Sequence, residues 1–238
     1  LHRLAELDGQ VRKAYAEYDY KRVVALLSQF MNTDLSAFYF DIRKDALYCE
    51  PWSSAKRRAA LQTIEHIFRC TCAWLAPLLC FTAEEAWRAR PWAQGEASVH
   101  LRTHPETPAA WRDDALAAKW DKVREIRRVV TGALELARAD KKIGASLQAH
   151  PVVHLTPERR VMLDGVDLSE ISITSGITVS DAPAANGAFT LAEVPGVAVL
   201  VNPADGGKCD RCWQVLPEVG SHTDHPTLCN RCADVVGA

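Results

Sequence analysis

Apolar residues recur at three- and four-residue steps through most of the first 144 positions, the period of an amphipathic helix. Leu4, Leu7, Val11, Ala14 and Tyr18 form one such face, and Val24, Leu27, Met31, Leu35, Phe38 and Ile42 a second, with Asn32-Thr33-Asp34 as a kink or cap. The pattern breaks at Glu50-Pro51-Trp52-Ser53-Ser54. Proline disfavours helix at the residue before it, and Ser53 can cap the helix that follows. That helix carries Leu61, Ile64, Phe68, Thr71 or Cys72, and Leu75 on one side, and Pro77 ends it. Thr82-x-x-Glu85 reads as a capping box opening a short helix through Trp87. Residues 91–110 read as a loop with three prolines, in which Ser98–Leu101 is a short strand. A long helix from about Trp111 to Asp140 carries the stripe Leu116, Trp120, Val123, Ile126, Val130, Ala133 and Ala137, and Gly144 stops it.

Beyond residue 150 the period shortens. Val152–Leu155, Ile171–Thr174, Ile177–Val179 and Val197–Val201 are β-branched runs between turn residues, and Thr156-Pro157-Glu158 opens a short helix with proline at its first position. From Gly206 onward cysteines dominate. The chain is therefore expected to be mainly α: a helical bundle over 1–144, a small α+β piece over 145–205, and a cysteine module over 206–238. Trp74, Trp87, Trp111 and Trp120 fall within apolar helical patterns and are expected in the core.

Of the 238 residues, 48% are apolar and 24% charged, a globular balance that excludes a disordered chain, a collagen, a long coiled coil or a small disulfide scaffold. The longest apolar stretch, around Cys70 to Phe81, is shorter than the roughly 20 residues that span a bilayer, so no membrane partner is expected. The chain begins at Leu1 with no secretion signal, and reads as a cytoplasmic piece of a longer protein. Net charge is −2, unevenly spread: residues 1–150 carry +4 and residues 151–238 carry −6. Such asymmetry raises the question of nucleic acid on the positive part.

Cys209-Asp210-Arg211-Cys212 and Cys229-Asn230-Arg231-Cys232 are two Cys-x₂-Cys turns separated by sixteen residues. In a reducing compartment this spacing reads as a metal site rather than as disulfides. Two residues between cysteines let one tight turn aim both thiolates at one ion, and two such turns complete a tetrahedral shell. Zn²⁺ suits it, although the soft ligand set also permits iron. Four thiolates leave no open position, so the expected ion is a single structural one, and its binding supplies most of the folding free energy of a segment so poor in large apolar residues. His222 and His225 then read as loop histidines, and Cys49, Cys70, Cys72 and Cys80 as small buried apolar residues.

The remaining candidates are cationic. Lys56-Arg57-Arg58 occupies the first turn of its helix, where the dipole favours anions; this suits either a phosphate or a solvated turn paired with Glu50. Arg124, Arg127 and Arg128, then Arg138, Lys141 and Lys142, lie at polar positions of the long helix, as a solvated face or a phosphate-tracking stripe. Arg211, Trp213 and Arg231 sit on the cysteine turns, where they could stack on unpaired bases; Trp213 could equally fill the module's small core. No glycine-rich phosphate loop, nucleophile elbow or zinc-protease motif occurs.

The segments Asp34 to Tyr48, Leu75 to Leu79 with Phe81 to Trp87, and Lys142 to Ala149 resemble the anticodon-binding helical domain of class I aminoacyl-tRNA synthetases. The ending from Cys209 to Cys232, with Trp213, resembles the C-terminal zinc finger of bacterial isoleucyl-tRNA synthetases. Together these cover nearly the whole chain, in order. The resemblance implies the tRNA-recognising part of an ATP-dependent isoleucine–tRNA ligase. Its partners would be the isoleucine acceptor tRNA and the catalytic and editing domains of the same polypeptide, as a monomer. The HIGH-like and KMSKS-like signatures are absent from these residues, so ATP would belong to the catalytic domain, and no adenylation is expected here. Anticodon bases would be splayed and read by stacking while phosphate contacts position the stem. The alternatives are a zinc-finger DNA glycosylase segment, whose proline nucleophile Leu1 does not supply, and a purely structural zinc module.

Overall fold

In the computed structural model, which describes residues 1–91 and 96–237, some 55% of the chain is helical. Positions 92–95 of the expected proline-rich loop and position 238 of the cysteine module lie outside the described residues. Two compact units emerge: Leu1–Leu47 with Trp52–Asp114, and Tyr48–Pro51 with Ala115–Ala238.

In the first unit, α1 (His2–Ala16) buries Leu4, Leu7, Val11 and Ala14 along one face. Tyr18 does not continue that face. It follows the helix at φ 56° and is 78% exposed, because the chain reverses there to let Asp19 cap α2 (Tyr20–Gln29) through the Arg22 amide at 3.0 Å. The second stripe is also displaced. Val24 and Met31 are exposed, and the buried positions are Val23, Leu27, Phe30, Leu35 and Ile42. The cause is a π-helical stretch over Phe30–Phe40, whose wider turn carries the buried face five residues on, from Phe30 to Leu35. Asn32-Thr33-Asp34 lies within this stretch, so the helix changes pitch there rather than ending. α3 (Asp41–Cys49) continues it.

α4 (Ala55–Leu75) is capped by Ser54, not Ser53: the Arg57 amide donates to Ser54 Oγ at 3.4 Å. Its buried residues include Ala60, Ile67, Cys70 and Trp74; the last three pack against Leu4, Leu7, Val11, Leu27 and Phe30, while Leu61 stays exposed. Cys72 and Ala76 face the other way, against Ala83, Trp87 and Val99. α5 (Cys80–Arg88) starts two residues ahead of Thr82, so Thr82 caps nothing, and Cys80 is exposed at the helix start. Ser98–Leu101 is a 3₁₀ turn, not a strand. Its amides are taken up locally: Glu84 accepts from Ser98 Oγ at 2.8 Å and from the Val99 amide at 2.9 Å. Buried Asp8, which accepts from Arg12 Nε at 2.8 Å and from Thr107 Oγ1 at 3.1 Å, ties α1 to the following loop.

In the second unit, α6 (Asp114–Ala139) buries Val123, Ile126, Val130, Ala133 and Ala137 as expected, with Trp120 half-buried and Leu116 exposed. It starts three residues after Trp111, which lies in a separate 3₁₀ turn, half-buried. It stops before Gly144, because Lys141 turns the chain at φ 58°. β1 (Val152–Leu155) pairs in parallel with β2 (Thr178–Ser180) and antiparallel with β3 (Val197–Leu200), in the order β2-β1-β3. α7 (Pro157–Val161) lies between β1 and α8 (Leu168–Ser172). The run Ile171–Thr174 is therefore the end of a helix, not a strand. Asp167 caps α8, its carboxylate accepting from the Ser169 and Glu170 amides, and Ile173 terminates it at φ 57°. Arg159 binds Glu125 at 2.6 Å and Lys119 donates to the Asp164 carbonyl at 2.6 Å, which fastens this piece to α6.

Ser54→Ala should cost about 1 kcal/mol of stability in denaturant unfolding, the usual worth of a serine N-cap. Ser53→Ala should stay within about 0.5 kcal/mol of the parent.

Candidate functional site

The cysteine module starts with a hairpin, β4 (Gly207–Lys208) against β5 (Val215–Leu216), and ends with α9 (Asn230–Val236). Gly206 makes the hairpin possible. Its φ is 112°, and a Cβ there would lie 2.2 Å from the Leu216 carbonyl carbon. The first cysteine turn is closed by backbone bonds from the Cys209 amide to the Gln214 carbonyl at 2.8 Å and from the Trp213 amide to the Cys209 carbonyl at 2.9 Å. Trp213 itself takes φ 67°. The Asp210 amide donates to the Thr227 carbonyl at 3.1 Å, which joins the two turns. Ser175 Oγ accepts from the Val215 amide at 2.7 Å and donates to the Leu147 carbonyl, which ties the hairpin to the neighbouring α+β piece.

The sulfurs of Cys209, Cys212, Cys229 and Cys232 all lie within 4.8 Å of one another, and all four residues are buried. A tetrahedron with metal–sulfur bonds of about 2.3 Å has sulfur–sulfur edges of about 3.8 Å. The Cys212 and Cys229 sulfurs are 3.8 Å apart. Burial alone would push the Cys209 thiol up, but amides of Cys212, Cys229 and Arg211 outweigh it and bring this thiol down to about 6. The Cys229 amide approaches to 3.3 Å. Burial, with the neighbouring thiols, raises Cys212 and takes Cys229 up to about 11. Without a cation, then, Cys209 is favoured as a thiolate, while Cys212 and Cys229 resist ionising. A soft divalent ion would remove that resistance, and the donor set fits one.

The module's remaining core is Leu216, Val219 and Leu228, packed with Cys49. Cys49 is buried, as expected of an apolar cysteine, but its neighbours are the four thiols. Trp213 is 61% exposed, with Lys208 Nζ 5.4 Å from its ring centre, so it does not fill this core. His222 and His225 lie outside the thiol cluster, their rings 5.5 Å apart. Arg211 does not project freely from its turn: its guanidinium donates to the Tyr48 carbonyl at 2.9 Å and the Cys49 carbonyl at 2.7 Å. Arg231 binds Glu50 at 3.3 Å. Lys56 and Arg58 are exposed in the first turn of α4, where Arg57 lies 3.6 Å over the ring centre of Trp52, itself 75% exposed. Arg124 is half-buried and Arg128 exposed on α6.

Two features escaped the sequence. Trp52 sits in a break with no apolar periodicity, and only its exposure under a stacked guanidinium marks it. The partners of the cysteine turns at Tyr48, Cys49 and Glu50 lie 162 to 181 positions away in the chain. No local pattern could show them.

A helical domain joined to a four-thiol module is what known proteins share with this chain. Residues 1–153 match the model described as the anticodon-binding domain of tRNA ligases, and residues 206–235 the zinc finger found in FPG and IleRS. The chain belongs to the tRNA-ligase anticodon-binding family. Along 97–99% of its length it is also similar to isoleucine–tRNA ligases: 55% identical to that of Brucella abortus, 50% to that of Mesorhizobium japonicum and 52% to that of Rhodopseudomonas palustris. It matches the C-terminal part of these enzymes and spans about a quarter of their length (24%).

Chelation of bound metal should melt the module while most of the far-UV helical signal remains, and Cys229→Ser should lose four-sulfur metal binding. Gly206→Ala should lower metal content, read by elemental analysis, with little change in helicity.

Proposed function

We propose that this chain is the tRNA-gripping part of an isoleucine–tRNA ligase, which joins isoleucine to its tRNA at the expense of ATP. The match of residues 1–153 to anticodon-binding domains carries this reading. The helical residues 1–144 hold the anticodon stem through phosphate contacts, the α+β piece over 145–205 follows, and the module over 206–238 steadies the grip. One structural Zn²⁺ sits among Cys209, Cys212, Cys229 and Cys232. ATP acts in the catalytic domain of the parent chain, and the parent works as a cytoplasmic monomer. Among the described residues no helix is long and apolar enough to cross a membrane.

The RNA contacts assigned are Lys56, Arg57, Arg58, Arg124, Arg128 and Trp213. Lys56 and Arg58 oppose their own helix dipole, a placement that a phosphate would relieve. Exposed Trp213 offers a flat face to an unpaired base. Arg211 and Arg231, also RNA-contact candidates on the cysteine turns, are engaged with carbonyls and with Glu50 respectively.

Titration of the chain against isoleucine tRNA, a non-cognate tRNA and damaged duplex DNA at two salt concentrations tests the reading. Cognate tRNA should bind most tightly, with affinity falling steeply as salt rises. Arg57→Ala with Arg58→Ala should reduce the log–log salt slope by about 0.7–0.9 per lost phosphate contact. Preference for the DNA, or no RNA binding at low salt, would overturn the proposal.

A further inference from the structure

The thiol cluster has a cation aimed at it. Arg211 Nη1 lies 3.6 Å from Cys232 Sγ and donates to the Cys49 carbonyl at 2.7 Å, while Nη2 donates to the Tyr48 carbonyl at 2.9 Å. Those two carbonyls belong to the last turn of α3, where backbone acceptors have no partner within the helix. The guanidinium therefore completes a helix end, whose negative dipole favours it, and the same contacts hold it against a metal-ligating sulfur. The contact is reciprocal: the Cys49 thiol, packed among the four cysteines, faces the Arg211 carbonyl at 3.9 Å.

Charge gives this arrangement a purpose. A divalent ion among four thiolates leaves two negative charges uncompensated, in a site where all four cysteines are buried. Buried charge is costly unless it is paired or hydrogen-bonded. We propose that Arg211 is the counter-ion and positioning residue of the metal centre, held against Cys232 by the carbonyls of Tyr48 and Cys49. The affinity of the C-terminal cysteines for their ion then depends on a helix end 162 and 163 positions upstream. The proposal rests on the four-cysteine metal reading and deepens it. Arg211 is not a ligand. It acts through the sulfur it touches, and its forked guanidinium spreads two carbonyl contacts and a thiol contact over two nitrogens, a geometry the single nitrogen of lysine does not match.

The test uses the full chain, loaded with Zn²⁺ or with Co²⁺ as a coloured substitute, in competition with a chromophoric chelator. Arg211→Ala should weaken metal binding by about 10–100-fold, the usual cost of losing an outer partner of a metal ligand. Arg211→Lys should recover only part of that loss. Arg231→Ala, which removes the Glu50 partner from the second turn, should stay within about threefold of the parent. The Co²⁺–thiolate absorption of Arg211→Ala should also shift, because the Cys232 sulfur loses its donor. If Arg211→Ala fails to fold, Arg211→Lys decides the question. Parent-like affinity and absorption in Arg211→Lys, or in a folded Arg211→Ala, would overturn the proposal and leave Arg211 as a helix cap alone. A parent chain that binds neither ion would instead sink the four-cysteine reading on which the proposal stands.

Discussion

Four buried thiols within 4.8 Å of one another are the constraint that organises the end of this chain. Thiolates so close repel, and burial raises the cost of each charge. Three backbone amides offset the cost for Cys209. A divalent ion would offset it for the set, and the rest of the module fits that geometry. The glycine at 206 lets the hairpin close against Leu216, left-handed Trp213 turns the chain out of the first cysteine pair, and Cys229 opens α9 so that Cys232 faces back. Among the described residues, Leu216, Val219, Leu228 and Cys49 pack against the four ligands as ordinary core. That is too little burial to fold such a segment without help.

The helical unit solves a different problem. Its core joins one face each of α1, α2 and α4 around Trp74, and a second cluster around Trp87 fixes α5 and the turn at Val99. Such packing holds the backbone still, so that side chains outside it can be presented without being buried. Trp52 and Arg57 show the result: an exposed indole with a half-buried guanidinium stacked on it, next to Lys56 and Arg58 and under a serine cap. Charge at this turn works against the helix dipole, so it is a poor choice for stability and a good one for holding an anion.

Much of this was legible in the sequence, for physical reasons that also explain the rest. The cysteine spacing is local, and metal chemistry restricts it tightly. Val152–Leu155 is β-branched and reads as the strand it forms, with the same bounds. The stripe of α6 follows a regular period and is buried at most of its positions. Errors arose where the backbone left its ordinary period. The π-helical stretch moved the buried face by one residue, and Val24 and Met31 came out exposed. Val99 looked like a strand residue because it is β-branched and apolar, but a carboxylate fourteen to fifteen positions earlier claims the local donors. Ser53 and Ser54 are chemically alike, and only backbone geometry decides which one caps. The partners of Arg211 and Arg231 are more than 160 positions away, beyond the reach of any local pattern.

X-ray absorption at the zinc edge of the metal-loaded chain reads the four-thiolate centre itself. Four sulfur neighbours at about 2.3 Å and no nitrogen are expected in the shell. A shell containing imidazole nitrogen from His222 or His225, or fewer than four sulfurs, would contradict a four-thiolate centre.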